Sequence, residues 1–216
     1  MATASRTISP VRGAGDLLLL TGPMFAGKSA ALIAHAATEQ QRRAGRDRDG
    51  GDHAVLVLKP AFDIRDGADV VSSRDGTRIA ARPVSEWPVD ATEYGVVVID
   101  EVQFMVAPHY RGDIVADIRS AVAAGCQVVA AGLDTDYMRR PFEPVVRLAA
   151  HASRHVRLSA CCHRCAAPAA WTAKLHETGC RLELGSGNLY EARCDQHWAA
   201  PDQMAPGLPT IADVAS

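Results

Sequence analysis

Gly22-Pro23-Met24-Phe25-Ala26-Gly27-Lys28-Ser29 has the spacing G-x-x-x-x-G-K-S. It follows the apolar run Leu17-Leu18-Leu19-Leu20 and precedes a helix-forming run from Ala30 to about Ala44. Strand, glycine loop and helix in that order make a phosphate cradle. The glycines let the backbone fold around an anion, so successive N–H groups point at the phosphates of a nucleotide. The helix N-terminus adds its partial positive charge. In this reading Gly22, Pro23, Met24, Phe25, Ala26 and Gly27 form the ATP cradle, Lys28 reaches the β- and γ-phosphates, and Ser29 ligates Mg²⁺.

A second constellation is Val96-Val97-Val98-Ile99-Asp100-Glu101, a hydrophobic strand that ends in two carboxylates. The carboxyl end of a strand is where an open α/β sheet presents its ligand. Asp100 is placed to hold Mg²⁺ opposite Ser29. Glu101 is a candidate general base, and a magnesium ion beside Asp100 lets the adjacent carboxylates take different roles. Such a base activates either water, as in an ATPase, or a substrate hydroxyl, as in a kinase.

A third is Cys162-His163-Arg164-Cys165 with Cys194-Asp195-Gln196-His197, a C-x-x-C and a C-x-x-H knuckle flanking a long loop. Cys162, Cys165, Cys194 and His197 make a tetrahedral S₃N set for Zn²⁺, and four protein ligands define a structural site. Cys161 is an alternative to Cys162, but only Cys162 has the two-residue gap to Cys165. His163 reads as a solvent-facing knuckle residue and Cys126 as a small packed hydrophobe. Zinc would staple the ends of residues 166–193.

These groups need a frame. The runs Leu17–Thr21, Ala54–Leu58, Tyr94–Ile99, Gln127–Ala131 and His155–Leu158 read as buried strands, with a short further strand at Arg78–Ala81. Helices are expected over about Ala30–Ala44 and His109–Ala124. Alternating strands and helices imply an α/β fold with a parallel sheet and right-handed crossovers. We expect a flexible tail over 1–15, a P-loop α/β domain over 16–158, a small zinc-binding domain over 159–198 and a second tail over 199–216. Gly45–Asp52, mixed in charge and without an apolar residue, reads as a surface loop.

The chain has 216 residues, 48% hydrophobic and 22% charged, with net charge −2. That composition suits a soluble globular protein and gives no basic excess for coating nucleic acid. No apolar run approaches the roughly 18 residues of a membrane span. The first residues lack the apolar centre of a signal peptide. The expectation is a cytoplasmic protein whose six cysteines stay reduced.

The ordered motifs resemble those of the cytosolic-type (type II) thymidine kinases, from about Leu17 to Trp198. They are Gly-Pro-Met-Phe-Ala-Gly-Lys-Ser, Ile-Asp-Glu-Val-Gln-Phe at 99–104, Gly-Leu-Asp-Thr-Asp-Tyr at 132–137, Arg-Pro-Phe at 140–142, the knuckles, and Tyr-Glu-Ala-Arg-Cys at 190–194. The resemblance implies a P-loop NTPase-like, RecA-like sheet with a small zinc-binding lasso domain. It implies transfer of the γ-phosphoryl group of ATP to the 5′-hydroxyl of thymidine, with Glu101 as base and Asp63 and Arg65 near the phosphates. It places Met24, Phe104, Leu133, Tyr137 and Phe142 around the base, and Thr172, Gly185 and Tyr190 on a lasso that closes over it. A homotetramer and feedback inhibition by dTTP are implied in the same way. Ala26, Tyr137 and Val102 depart from the commoner Ser, Phe and Ala or Gly of the family.

A competing reading is a zinc-ribbon P-loop ATPase acting on nucleic acid. It requires a basic stripe or stacking aromatics on the ribbon. Arg154, Arg157, Arg164 and Lys174 are offset there by Glu177, Glu183, Glu191 and Asp195, and aromatics are only 5% of the chain. The expectation is therefore no nucleic-acid and no membrane partner.

Overall fold

The structure is a computed structural model and describes residues 15–44, 55–65, 67–176 and 189–199. Its centre is a six-stranded sheet of β1 (Leu17–Thr21), β2 (Val55–Pro60), β5 (Arg82–Val84), β6 (Val96–Ile99), β7 (Gln127–Gly132) and β8 (Arg154–Arg157). The spatial order is β5-β2-β6-β7-β1-β8, and every pairing is parallel. One strand, β7, separates β1 from β6, which is the RecA-like arrangement.

Side chains alternate across a strand, so each strand serves two layers. Leu17, Leu19, Leu58, Val97, Ile99 and Val128 face α2 (Ile114–Ala123) and α3 (Glu143–Ala149) through Ile114, Ile118 and Leu148. Leu18, Leu20, Val57, Val96, Val98 and Val129 face α1 (Lys28–Ala44) through Leu32, Ile33 and Ala36. Covered on both sides, β1, β6 and β7 can be apolar throughout, as a parallel sheet with helices on both faces requires.

The parallel sheet and flanking helices follow the sequence reading, with local differences. α2 starts at Ile114 rather than near His109, because Gly112 sits at φ 117° and Asp113 is the cap. The Asp113 carboxylate accepts the Val115 N–H at 3.0 Å. β4 (Arg78–Ala80) is a strand but not part of the central sheet; it pairs antiparallel with β3 (Val70–Ser72). β5 is an edge strand of three residues containing Pro83, and α3 has seven residues; both are too short to show a period.

Beyond β8 the strands shorten. β9 (Ala160–Cys161) pairs with β10 (Pro168–Ala169), and β11 (Trp171–Lys174) pairs with β12 (Tyr190–Arg193), both antiparallel. Ala160, Cys162, Ala169, Ala192 and Cys194 form a small separate core, and Phe25 and Ala26 of the glycine loop pack on it. Gly185, Cys180, the Gly45–Asp52 loop and most of both expected tails lie outside the described residues.

Candidate active site

The glycine loop leaves the carboxyl end of β1 and turns into α1. Gly22 has φ 144°, and a Cβ there would stand 2.3 Å from the Leu158 carbonyl oxygen, so glycine is required by backbone and space alike. Phe25, not a glycine, sits at φ 69°. Strained non-glycine backbone of this kind gathers at ligand sites. Lys28 Nζ donates to the carbonyl oxygens of Gly22 at 3.1 Å and Pro23 at 2.8 Å, which keeps the ammonium inside the loop. Burial lowers the Lys28 pKa, against the pull of Glu101 and Asp100.

Ser29 Oγ donates to Asp100 Oδ2 at 3.0 Å, joining the helix start to the end of β6. Burial, reinforced by the Glu101 charge, pushes the Asp100 carboxyl up to about 7. A hydroxyl and a buried carboxylate crowded by a second carboxylate are a donor set that fits a hard divalent cation.

Glu101 occupies the left-handed region at φ 53°, ψ 40°, immediately before a 3-10 turn over Val102–Phe104. This backbone turns its carboxylate out of the strand direction. Glu101 Oε1 accepts from Arg65 Nη2 at 2.9 Å, and its Oε2 accepts from Gln103 Nε2 at 2.5 Å. Arg65 also forks onto Asp63, at 2.8 Å and 2.7 Å. Burial alone would raise the Asp63 pKa, but the Arg65 hydrogen bonds prevail and hold it below the usual carboxylate range. Asp63, Arg65 and Glu101 are thus one chain of charge at the mouth of the loop.

Aromatic rings line the next stretch. Phe104 lies edge-on to Phe142 at 6.3 Å and to Phe62 at 5.7 Å, and Phe62 stacks on His109 at 4.0 Å. The Leu133 N–H donates to Gln103 Oε1 at 3.0 Å, which brings the end of β7 to the same turn. Tyr137 is buried under the Lys174 ammonium, 5.1 Å from the ring centre, and Lys174 is the register partner of Tyr190. The Met24 N–H donates to Thr172 Oγ1 at 3.0 Å. Phe62 and Gln103 are neighbours that the sequence reading did not single out as site residues. Phe62 offered one signal, its place directly before Asp63.

The knuckles converge. One ligand atom each of Cys162, Cys165, Cys194 and His197 lies within 4.8 Å of all the others. Cys165 Sγ and Cys194 Sγ are 3.8 Å apart, and His197 Nδ1 is 3.3 Å from Cys194 Sγ and 3.8 Å from Cys162 Sγ. A tetrahedron with Zn–S bonds of about 2.3 Å has edges of about 3.8 Å, so the four groups fit zinc. Burial works against the Cys162 thiolate, but backbone N–H donors around it draw the pKa down to about 6. His163 is exposed, as expected, but its ring centre is only 4.9 Å from that of Phe25. The Arg74 guanidinium also lies over the Phe25 ring, 3.9 Å from its centre.

Arg139 ties this module to the segment after β7. Its guanidinium lies 4.1 Å from the Trp171 ring and 3.9 Å from the Trp198 ring, and 3.5 Å from Asp195. Trp171 Nε1 donates to Asp195 Oδ1 at 2.7 Å.

A glycine loop after β1, a lysine held within it, and an Asp-Glu pair at the end of β6 define a P-loop nucleotide-binding protein. The sequence profile described as thymidine kinase matches residues 15–198. The chain is also 35% identical over 200 residues to the thymidine kinase of Pyrobaculum aerophilum, covering 86% of this chain and 99% of that one. The chain belongs to the thymidine kinase family.

Proposed function

We propose that the protein transfers the γ-phosphoryl group of ATP to the 5′-hydroxyl of thymidine, giving dTMP and ADP. The observation that carries this reading is the Glu101 carboxylate. It is held by Arg65 and Gln103, acts electrostatically on Lys28, and opens the turn that carries Phe104, whose ring meets Phe142.

In this mechanism the backbone of Gly22–Gly27 cradles the phosphates. Lys28 leaves the Gly22 and Pro23 carbonyls for the β- and γ-phosphate oxygens. Ser29 and Asp100 would hold Mg²⁺, which supplies charge neutralisation for the phosphates when bound. Glu101 accepts the proton of the 5′-hydroxyl as the oxygen attacks phosphorus. Arg65, paired with Asp63, supplies a further positive charge beside the transferring group.

Thymine is a flat ring with a methyl group and suits an apolar slot. Met24, Phe104, Leu133, Tyr137 and Phe142 would form it, with Thr172, Tyr190 and Gly185 on the closing lasso. Zn²⁺ at Cys162, Cys165, Cys194 and His197 would fix the root of that lasso. Closure keeps water from the γ-phosphate and so favours transfer over hydrolysis. Domain limits near 16–158 and 159–198 and a cytoplasmic location belong to the same proposal and rest on the residue pattern; a homotetramer and inhibition by dTTP rest on the family. Among the described residues no helix is long and apolar enough to cross a membrane.

The test is phosphate transfer from labelled ATP with Mg²⁺ across a panel of nucleosides. Labelled dTMP, formed only with thymidine or its nearest analogues, is the expected result. ATP hydrolysis without a nucleoside product, stimulated by DNA or RNA, would instead establish the nucleic-acid ATPase reading.

A further inference from the structure

Gln103 stands between Glu101 and the nucleoside wall. It is 1% exposed, within the turn Val102–Phe104. Both ends of its amide are used. Nε2 donates to Glu101 Oε2 at 2.5 Å, and Oε1 accepts the Leu133 N–H at 3.0 Å. An ionised carboxylate only accepts and a backbone N–H only donates, so the pair of bonds also fixes which way the amide faces. The surroundings are built to this side chain. A Cβ on Gly132 would lie 2.6 Å from Gln103 Oε1 and 3.0 Å from Val102 Cγ1.

The two holders of Glu101 differ. The Arg65 side chain is 32% exposed, charged, and shared with Asp63, so arriving phosphates compete for it. Gln103 is neutral, buried and anchored to backbone, so it stays. Its anchor is the N–H of Leu133, a residue assigned above to the thymine slot. One amide therefore spans from the carboxylate to the wall that the nucleoside touches. Glu101 itself sits in the sparsely populated left-handed region, at φ 53°.

We propose that Gln103 is a positioning residue for phosphoryl transfer, holding the Glu101 carboxylate in register with the Leu133 wall of the nucleoside slot. This rests on the reading of Glu101 as the base. Gln103→Glu separates the two bonds, because it keeps an acceptor for the Leu133 N–H and sets a second carboxyl against Glu101 in place of the neutral amide donor. Gln103→Met removes both and serves if Gln103→Glu fails to fold. The experiment measures kcat and KM for thymidine and for ATP on the full chain. Thermal unfolding is recorded beside it, and Gln103→Glu is made also in a Glu101→Gln background.

In either single variant kcat should fall about tenfold to a hundredfold, as for a misplaced catalytic group, with KM for ATP within about twofold. The Gln103→Glu loss should vanish in the Glu101→Gln background, because the two residues act as one unit. Turnover within about twofold of the unsubstituted protein overturns the positioning role, as does the same fold-loss in both backgrounds. Near-normal turnover of Glu101→Gln alone overturns the base assignment, and the positioning role with it.

Discussion

The phosphate loop and the cysteine–histidine module touch one another but are held in place by opposite means. The loop hangs from β1, whose five residues are buried and paired with β7, four of them with β8 as well. The module rests on strands of two to four residues and on a core of three alanines and two cysteines. Ordering a residue costs roughly 1–2 kcal/mol of backbone entropy, and side chains this small return little of it at about 25 cal/mol per Å². Where a wide sheet already pins the chain, chemistry can be placed on a bare loop. Where there is no such sheet, Cys162, Cys165, Cys194 and His197 converge so that a metal could do the pinning. The two meet at a few contacts, Met24 with Thr172 and Phe25 with His163, while Arg139 ties the module to the segment after β7 through its two tryptophans.

The sharpest way to separate the two regions is to disable each alone. Lys28→Ala should lower kcat on the order of 10²–10³-fold with the fold intact, because it removes transition-state charge stabilisation from a loop the sheet still holds. Steady-state kinetics beside a melting curve checks this. A large drop in Tm would show that the loop is not independently held.

Removal of the metal should do the reverse. Chelation, or Cys165→Ser, should raise KM for thymidine on the order of tenfold, about 1.4 kcal/mol, and lower the Tm. ATP binding, followed by titration calorimetry, should change less. If ATP affinity falls as far as thymidine affinity, the module also holds the phosphate loop and the two regions are one.

Arg139→Ala should act more weakly in the same direction. Loss of a cation between two rings is worth about 1 kcal/mol, read as a modest fall in Tm and a change in tryptophan emission. Arg139→Lys should restore part of it. An unchanged emission spectrum would mean that the sandwich does not form in solution.

The smallest effect concerns pH. Burial lowers the His35 pKa below 6.5, with Glu39 opposing, and His35 Nε2 has no hydrogen-bond partner among the described residues. A folded value below the unfolded one means the unfolded chain takes up the proton first. Stability is therefore full above about 6.5 and declines as pH falls through the lower folded value. His35→Leu should flatten that part of the stability–pH curve. A curve unchanged in shape would place the acid sensitivity elsewhere, the thiolates of the metal site being the natural alternative.

Legibility in the sequence follows the same division. β1, β6 and β7 are continuous apolar runs because helices cover both faces, and they were readable as such. Gly22–Ser29 and Asp100-Glu101 are contiguous, so one strand end carries each whole motif. The metal ligands were readable because knuckle spacing is set by local geometry rather than by the fold. The start of α2 was misread because His109–Asp113 looks helical until Gly112 takes φ 117°. The wall proposed for the nucleoside has no local signature. Phe104 lies in the turn after β6, while Leu133, Tyr137 and Phe142 lie on the segment between β7 and α3, and only resemblance to a family proposes them together. The role of Gln103 has no signal in its motif, because its partners depend on the left-handed turn at Glu101 and on the distant end of β7.

Glu101→Gln in the labelled phosphate-transfer assay tests the central claim most directly. The amide keeps the size of the side chain and cannot take the 5′-hydroxyl proton. The expected result is a fall in kcat on the order of 10²–10⁴-fold, with binding of Mg·ATP and of thymidine retained. Turnover close to that of the unsubstituted protein, with both substrates bound normally, would contradict it.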